Sequence, residues 1–217
     1  MNNSLENLRD DHSDFDKNNL SDDLPLDPFE LFNTWFDEAS KGNDIEVNAC
    51  SISTINIDHK APSSRIVYLK EIISNQFVFY TNYNSQKGTE LSKTPNACML
   101  FFWPHQQRQI SIKGSVHKIS NEKSDAYFAS RPKSSQIGAW ASKQSEKLLS
   151  RQELKDRFEK YSKKFSDNKP HRPDFWGGFR LVPSSIEFWS DGKDRLHDRY
   201  LFNLSKDGGW EISRLYP

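Results

Sequence analysis

Short extended segments separated by turn-forming residues constrain the fold of this chain more than any other feature. Runs of apolar, aromatic and β-branched residues alternate with clusters of Pro, Asn, Gly and Ser from residue 49 onward. Such runs predict strands, and turn residues at this spacing predict antiparallel connections. The predicted strands span residues 49–57, 64–70, 77–82, 97–103, 109–119, 179–182, 186–189, 195–203 and 210–215.

Helical patterns interrupt this series of strands at four places. Asp27 and Pro28 form an N-cap and first-turn pair ahead of an apolar stripe at helical spacing. Shorter helices are predicted at residues 85–94 and 122–131, each followed by a proline, and Ser150 opens a capping-box sequence ahead of a longer helix. Many strands with a few inserted helices predict a mainly β fold with peripheral helices (α+β), built on a small closed or nearly closed antiparallel barrel.

The charge distribution argues against a nucleic acid partner. The 217 residues contain 30 Lys and Arg and 30 Asp and Glu, but residues 1–23 hold seven of the acids and only two of the bases. The other 28 bases are dispersed among 23 acids, whereas proteins that bind duplex DNA concentrate their bases in runs or stripes. This dispersed surplus of bases suits a small anionic ligand better than a nucleic acid. Residues 1–23 predict a mobile tail ahead of a single domain at residues 24–217.

The cysteine content and the N-terminal sequence indicate the cellular compartment of the protein. Cys50 and Cys98 are the two cysteines, with no Cys-x-x-Cys pair or His-rich spacing, so we expect neither a disulfide scaffold nor a metal site. The N-terminus lacks the basic start and apolar stretch of a signal peptide, and no apolar run approaches the roughly 18 residues of a membrane span. We expect a cytoplasmic protein with no membrane partner.

A cationic segment near the C-terminus points to an anionic ligand. In an extended strand Arg195, His197 and Arg199 would share one face, since alternate residues point the same way. Residues 186–189 would form the partner strand, with Trp189 at its end. Guanidinium groups bind phosphate oxygens in pairs and a Trp ring stacks on flat heteroaromatics, so the hairpin suits a phosphorylated ring compound. The alternative is a solvated edge strand whose charges deter aggregation.

A second set of cations lies in the first half of the chain. Arg65 and Lys70 are at the two ends of a predicted strand, and Lys87 lies in the first turn of a predicted helix. Free backbone N–H groups at a helix N-terminus favour a bound anion, so a cation there is consistent with a phosphate. Lys87 as an ordinary surface lysine is the alternative.

A third set combines hydroxyl groups with a guanidinium. Tyr127 and Arg131 are four residues apart on a predicted helix, and Ser135 follows shortly after it. This combination suits a phosphomonoester. Alternatively, Tyr127 packs in the core and Arg131 interacts with the helix C-terminus.

The chain shows no signature of a catalytic nucleophile of its own. It lacks a Ser-His-Asp order, a paired-carboxylate signal, a metal cluster and the glycine-rich loops that hold dinucleotides or triphosphates. Proteins of this kind often take their reactivity from a cofactor.

Ordered motifs extend over nearly the whole chain, from about residue 25 to residue 217. They occupy residues 65–70, 77–88, 101–103, 108–109, 124–132, 136–142, 176–178 and 187–199. Together they resemble the pyridoxamine (pyridoxine) 5′-phosphate oxidase family. The resemblance implies an FMN-binding split β-barrel homodimer with a C-terminal dimerisation and substrate segment at about residues 174–217. It also implies oxidation of pyridoxamine and pyridoxine 5′-phosphates by O2 to pyridoxal 5′-phosphate, with release of H2O2 and, from the amine, ammonia.

By motif, the resemblance also implies residue roles. FMN would be contacted, partly across the dimer interface, by Arg65, Ile66, Val67, Tyr68, Leu69, Lys70, Tyr80, Thr81, Gln86, Lys87, Gln109, Gln144, Ser145, Trp189 and Arg199. The substrate phosphate would be held by Lys70, Tyr127, Arg131 and Ser135. Arg195 and His197 would lie by the pyridine ring as the catalytic residues, without either being an essential base.

The chain departs from the family pattern at two places. Gln86 stands where the family commonly has Arg, which predicts weaker FMN binding because the amide brings no charge. Residues 12–15, His-Ser-Asp-Phe, occupy the approximate place of an Arg and a Tyr that cover the substrate in the family. Two alternative functions remain for a protein with this barrel. It could be a non-catalytic carrier of flavin or pyridoxal phosphate, or a nicotinamide-dependent flavin reductase.

Overall fold

Antiparallel strands dominate the computed structural model, which describes Leu20 and residues 23–217. The expected mobile tail and residues 12–15 therefore lie almost wholly outside the described residues. The chain divides into two compact units, each made of separate segments. The larger unit contains Asn48–Leu100 and Ile112–Ser184, and the smaller unit contains Phe101–Ser111, Ser185–Pro217 and the described residues up to Val47.

Seven strands lie wholly or partly in the larger unit and follow the order β2-β1-β5-β6-β7-β4-β3. They are β1 (Ala49–Asn56), β2 (Ala61–Tyr68), β3 (Glu71–Ile73), β4 (Gln76–Asn82), β5 (Asn96–Trp103), β6 (Arg108–Lys118) and β7 (Trp176–Ser190). β1 buries alternate residues, as a half-buried strand does, whereas Phe77, Val78 and Phe79 of β4 are all buried. β4 is therefore a core strand, and its register with β7 pairs Tyr80 with Gly178.

Four helices belong to the larger unit. They are α2 (Gln86–Lys93), α3 (Asn121–Ser130), α4 (Lys133–Ala141) and α5 (Arg151–Lys164). Ser85, Ser120 and Ser150 cap α2, α3 and α5, because each hydroxyl accepts the backbone N–H three residues further on. The Ser150 capping box was part of the prediction of α5, whereas α2 and α3 were predicted as segments that end before Pro95 and Pro132.

The smaller unit packs helix α1 (Pro28–Lys41) against aromatic side chains. The Asp27 carboxylate accepts the Phe29 N–H at the start of α1. Phe32 lies 5.4 Å from Phe101 and Trp35 lies 5.3 Å from Phe188 between ring centroids, both edge to face. The end of β7 pairs with β8 (Asp198–Leu204), and β8 pairs with β9 (Trp210–Arg214).

The mainly β fold with peripheral helices is confirmed, but the structure differs from the predictions at two places. Residues 133–141 form α4, a helix that was not predicted, in which Gln136 donates to the Phe128 carbonyl at 2.7 Å and Ile137 is buried. Residues 179–182 and 186–189 belong to one strand, β7, which continues through Pro183.

The part of the chain that the structure describes contains no helix long and apolar enough to cross a membrane. The same part has no group of three or more His, Cys, Asp or Glu side chains arranged to hold a metal ion.

Candidate active site

A cavity of about 500 Å³ lies in the larger unit, within the size range of ligand pockets. The ends of β2 and β4, the first turn of α2, the end of α3 and one side of α4 contribute to it. Its lining consists of Ile66, Val67, Tyr68, Lys70, Tyr80, Thr81, Asn82, Lys87, Tyr127, Arg131, Pro132, Ser135, Ala139, Ser142, Gln144 and Trp176.

Lys87 brings a buried cation to this cavity. Its side chain is 6% exposed, and Nζ donates to Thr81 Oγ1 at 3.2 Å, while Thr81 Oγ1 in turn donates to Gln144 Oε1 at 3.3 Å. Burial, helped by the nearby charge of Arg65 and opposed by Glu90, lowers the pKa of Lys87 to about 8. Because Lys87 also lies in the first turn of α2, a bound anion would favour its charged form.

Arg131 has an unsatisfied donor at the other side of the cavity. Its guanidinium carbon lies 4.6 Å from the centre of the Trp176 ring and 5.6 Å from that of Phe128. Burial lowers its pKa, with a nearby Tyr127 acting in the opposite direction. Nη1 is buried and has no hydrogen-bond partner among the described residues. Because an unpaired buried donor is costly, this atom points to a ligand that supplies the acceptor.

Three aromatic rings form one wall of the cavity. Tyr80 stacks on Tyr127 with centroids 3.8 Å apart, and Trp176 lies 5.6 Å from Tyr80 at an interplanar angle of 13°. Tyr80 donates its hydroxyl to Glu71 Oε1 at 2.9 Å. Burial raises the pKa of Tyr80 and of Tyr127, so both phenols stay neutral and can donate hydrogen bonds.

Arg65 and Gln86 belong to a hydrogen-bond network around a buried carboxylate. Glu90, 4% exposed, accepts Thr54 Oγ1 at 2.5 Å and Ser63 Oγ at 2.7 Å. Gln86 Nε2 donates to Glu90 Oε1 at 2.9 Å, and Arg65 Nη2 lies 3.4 Å from Oε2. Burial opposes the ionisation of Glu90, but these hydrogen bonds and the Arg65 charge together hold its pKa below the usual value.

The cavity brings together most of the predicted residues of the larger unit. Eleven residues with an expected FMN or substrate role line it: Ile66, Val67, Tyr68, Lys70, Tyr80, Thr81, Lys87, Tyr127, Arg131, Ser135 and Gln144. Arg65, Leu69, Gln86 and Ser145 belong to the same unit but not to the lining. Trp176 was missed, although the Trp176-Gly177-Gly178 motif marked its position. Asn82, Pro132, Ala139 and Ser142 were missed as well, because nothing in their residue types signals a ligand.

The smaller unit contains the other predicted residues. Trp189 in β7 pairs in register with Arg199 in β8, and the Arg199 Nε donates to Glu187 Oε1 at 2.8 Å. The His197 ring lies 4.7 Å from that of Trp189. Gln109 lies in β6.

The expectation that Arg195, His197 and Arg199 share one strand face is wrong. β8 begins at Asp198, and Lys193–Arg195 form a single 3₁₀ turn in which Asp194 and Arg195 have φ of 56° and 62°. This left-handed backbone is unavailable to a strand, so the alternation rule applies to neither Arg195 nor His197.

Comparisons with known proteins identify first the class and then the family. The fold is that of FMN-binding split-barrel proteins: a pyridoxamine 5′-phosphate oxidase-related, FMN binding protein from Nostoc punctiforme is 14% identical, with a TM-score of 0.70 over 88% of this chain and 98% of that one. The structure of PhzG from Burkholderia lata, in complex with tetrahydrophenazine-1-carboxylic acid, is 28% identical, with a TM-score of 0.86 over 94% of this chain and all of that one.

Residues 40–165 match the family described as pyridoxamine 5′-phosphate oxidase, and residues 176–217 match the pyridoxine 5′-phosphate oxidase C-terminal dimerisation region. The pyridoxine/pyridoxamine 5′-phosphate oxidase of Cupriavidus taiwanensis is 47% identical over 90% of this chain and 91% of that protein. The enzyme of the same name from Nostoc sp. is 43% identical over the full length of both. The chain belongs to the pyridoxamine 5′-phosphate oxidase family, which confirms the resemblance and the split-barrel fold.

Proposed function

We propose that this protein oxidises pyridoxamine and pyridoxine 5′-phosphates to pyridoxal 5′-phosphate, and that the cavity of the larger unit holds reactants of this reaction. Oxidation of pyridoxamine 5′-phosphate consumes O2 and water and releases ammonia and H2O2. Oxidation of pyridoxine 5′-phosphate consumes O2 and releases H2O2. Family membership supports the reaction. The buried, unpaired Nη1 of Arg131 is the observation that carries the site, because a phosphate oxygen would satisfy it.

The donor set of the cavity fits FMN. When bound, FMN would supply two-electron oxidation of the substrate with O2 as the final acceptor. Lys87, connected through Thr81 to Gln144, is a preformed cationic hydrogen-bond network for its phosphate. Arg65 adds a second charge beside Lys87, and Glu90 holds its guanidinium in place. β2 supplies Ile66, Val67 and Tyr68 to the lining.

The second group of donors in the cavity fits the substrate phosphate. Arg131 and Ser135 lie on either side of the turn between α3 and α4, and Tyr127 is one helical turn before Arg131. Lys70 contributes a further, exposed cation. Held by a guanidinium, an ammonium and two hydroxyl groups, the phosphate would orient the pyridine ring and so align C4′ for oxidation.

For the smaller unit we propose the roles that the resemblance implies. Arg195 and His197 orient the substrate ring, and Gln109, Trp189 and Arg199 contact FMN. The C-terminal dimerisation region supports a homodimer as the active form. We also propose a cytoplasmic location, a reducing compartment that suits Cys50 and Cys98, which form no disulfide with each other.

Oxygen uptake tests this function directly. The purified protein should be yellow and should consume O2 and release H2O2 when given pyridoxamine 5′-phosphate. Failure of peroxide release would favour the carrier, and anaerobic bleaching of the flavin by NADH or NADPH would favour the reductase.

A variant of Arg131 tests the site. Arg131→Met should raise KM for pyridoxamine 5′-phosphate by about tenfold to a hundredfold, because one charge-assisted hydrogen bond to the phosphate is lost. The FMN content should change little. Arg180→Met, at an exposed position of β7, is the control and should leave KM unchanged. An unchanged KM in Arg131→Met would exclude this cavity as the substrate-phosphate site.

A further inference from the structure

Two contacts hold the His197 ring, one from the loop that precedes β8 and one from the end of β7. The Gly192 N–H donates to His197 Nδ1 at 3.1 Å. The indole of Trp189 lies 4.7 Å from the imidazole, at an interplanar angle of 43°. Asp191, fully buried, anchors the start of this loop by donating its N–H to the Gln107 carbonyl at 3.1 Å. The ring is therefore oriented before any ligand arrives.

The first of these contacts decides which ring nitrogen carries a proton. A main-chain N–H can only donate, so Nδ1 must be the unprotonated, accepting nitrogen. A neutral imidazole with a bare Nδ1 carries its proton on Nε2. Among the described residues no hydrogen-bond partner occupies Nε2, which leaves that N–H available to a ligand.

We propose that the Gly192 N–H fixes His197 as the Nε2–H tautomer, so that His197 presents a hydrogen-bond donor, not a base, to the substrate. Gly192 is then a positioning residue that acts through His197. The proposal rests on the proposed function for the identity of the ligand: the donor recognises an acceptor atom on the B6 vitamer. The proton lost at the substrate must accordingly leave by another route than His197 Nε2.

Space explains why glycine is required at position 192. A Cβ built there would lie 2.2 Å from the Leu196 carbonyl oxygen and 2.8 Å from its carbon, and both are backbone atoms. The φ of Gly192 is −148°, which any residue can adopt, so the constraint is steric and not conformational. Any side chain would displace the loop and with it the N–H that faces His197.

Nitrogen NMR of ¹⁵N-histidine-labelled FMN-loaded protein tests the tautomer without substrate. His197 Nδ1 should resonate as an unprotonated, pyridine-type nitrogen and Nε2 as a protonated, pyrrole-type nitrogen. With ¹⁵N-glycine added to the labelling, a coupling should connect Gly192 N to His197 Nδ1 across the hydrogen bond. A protonated Nδ1 overturns the proposal even if the oxidase activity is present, and a missing oxidase activity leaves this measurement valid.

Two substitutions of His197 separate a donor from a base. The amide nitrogen of Gln can approach the position of Nε2, whereas the shorter Asn side chain reaches only that of Nδ1. His197→Gln should retain a KM for pyridoxamine 5′-phosphate about tenfold lower than that of His197→Asn. Equal losses in the two variants would contradict the donor role.

Gly192→Ala tests the positioning. It should convert the single tautomer signal of His197 into a mixture and raise KM, at unchanged FMN content. Gly209→Ala is the matched control in another turn of the smaller unit, because its Cβ would lie 3.6 Å from the nearest atom, Ser205 Oγ, an ordinary contact. A single Nε2–H signal and a parental KM in Gly192→Ala would overturn the role of Gly192.

Discussion

The buried cation of the larger unit and the proposed substrate-binding cation of the smaller unit are presented in opposite ways. In the larger unit Lys87 and Glu90 are at most 6% exposed, and they are held by hydrogen bonds from regular strands and helices. In the smaller unit Arg195 is exposed and lies in a short turn with left-handed backbone. Buried cations are costly to the unliganded protein and prepare a strong anion site, whereas an exposed cation in a turn costs little until it binds.

Mutations in the two units should therefore affect different measurable properties. Changes in the buried network of the larger unit should alter FMN retention and folding stability together. Changes in the turn of the smaller unit should alter turnover while folding stability stays the same. Substitutions of Arg195, Lys87 and Gln86 test this contrast.

Arg195→Ala should lower turnover by about a hundredfold, the loss expected when one preorganised electrostatic contact to the reacting molecule is removed. FMN content and the urea midpoint should remain parental because the side chain is exposed. Lys193→Ala, an exposed cation of the same turn, is the control. Steady-state oxygen uptake measures the effect, and parental turnover in Arg195→Ala would end the proposed role of this residue.

Lys87→Met should weaken FMN binding by about tenfold to a hundredfold, because one charge-assisted contact to a phosphate is lost. Fluorescence titration of the apoprotein with FMN measures it. Lys93→Met is the control: Lys93 is exposed in the last turn of α2 and pairs with Asp58. FMN binding equally tight in Lys87→Met and the parent would remove Lys87 from the cofactor site.

The parent protein and the Lys87→Met variant should also differ in how the free energy of unfolding depends on pH. The pKa of Lys87 is about 8 in the folded protein and 10.5 as a reference, so the unfolded chain binds more protons between these values. The free energy of unfolding of the apoprotein should therefore rise with pH from about 8 to 10.5, by roughly 2–3 kcal/mol from this group. Lys87→Met should lack this contribution, which urea denaturation at several pH values would show.

Gln86→Arg should have the smallest effect, a tightening of FMN binding by less than about tenfold. It restores the charge that the family commonly has at this position. The gain is limited because Gln86 faces Glu90, which would pair with the new guanidinium. Gln152→Arg, at an exposed position in α5, controls for the added charge. Weaker FMN binding in Gln86→Arg would show that the hydrogen bond from the Gln86 amide to Glu90 matters more than the missing charge.

Local chemistry explains which parts of the fold could be predicted. The caps at Asp27 and Ser150 and the prolines that follow α2 and α3 allowed four helices to be predicted, because each of these signals acts within a few residues along the chain. Helix α4 escaped prediction, since Gln136 stabilises it through carbonyls of the preceding helix.

Some features of the candidate site could likewise be predicted from the sequence, and others could not. The types and spacing of Lys87, Tyr127, Arg131 and Ser135 suited an anion but left ordinary structural roles open, and the family resemblance assigned their binding roles. The cavity brings these four residues together. The unpaired Nη1 of Arg131 and the contact of the Gly192 N–H with His197 could not be predicted, because both depend on distances between separate segments.

The sequence alone was enough to predict most of the strands, four helices, the family and the kinds of side chain available to bind a phosphate. These properties depend on side-chain chemistry and on neighbours within a few residues along the chain. The folded structure was needed to show that Lys87 is a buried cation, that Arg195 lies in a left-handed turn and which nitrogen of His197 faces a donor. Burial, backbone conformation and hydrogen-bond partners are set by residues distant in sequence, which no local pattern records.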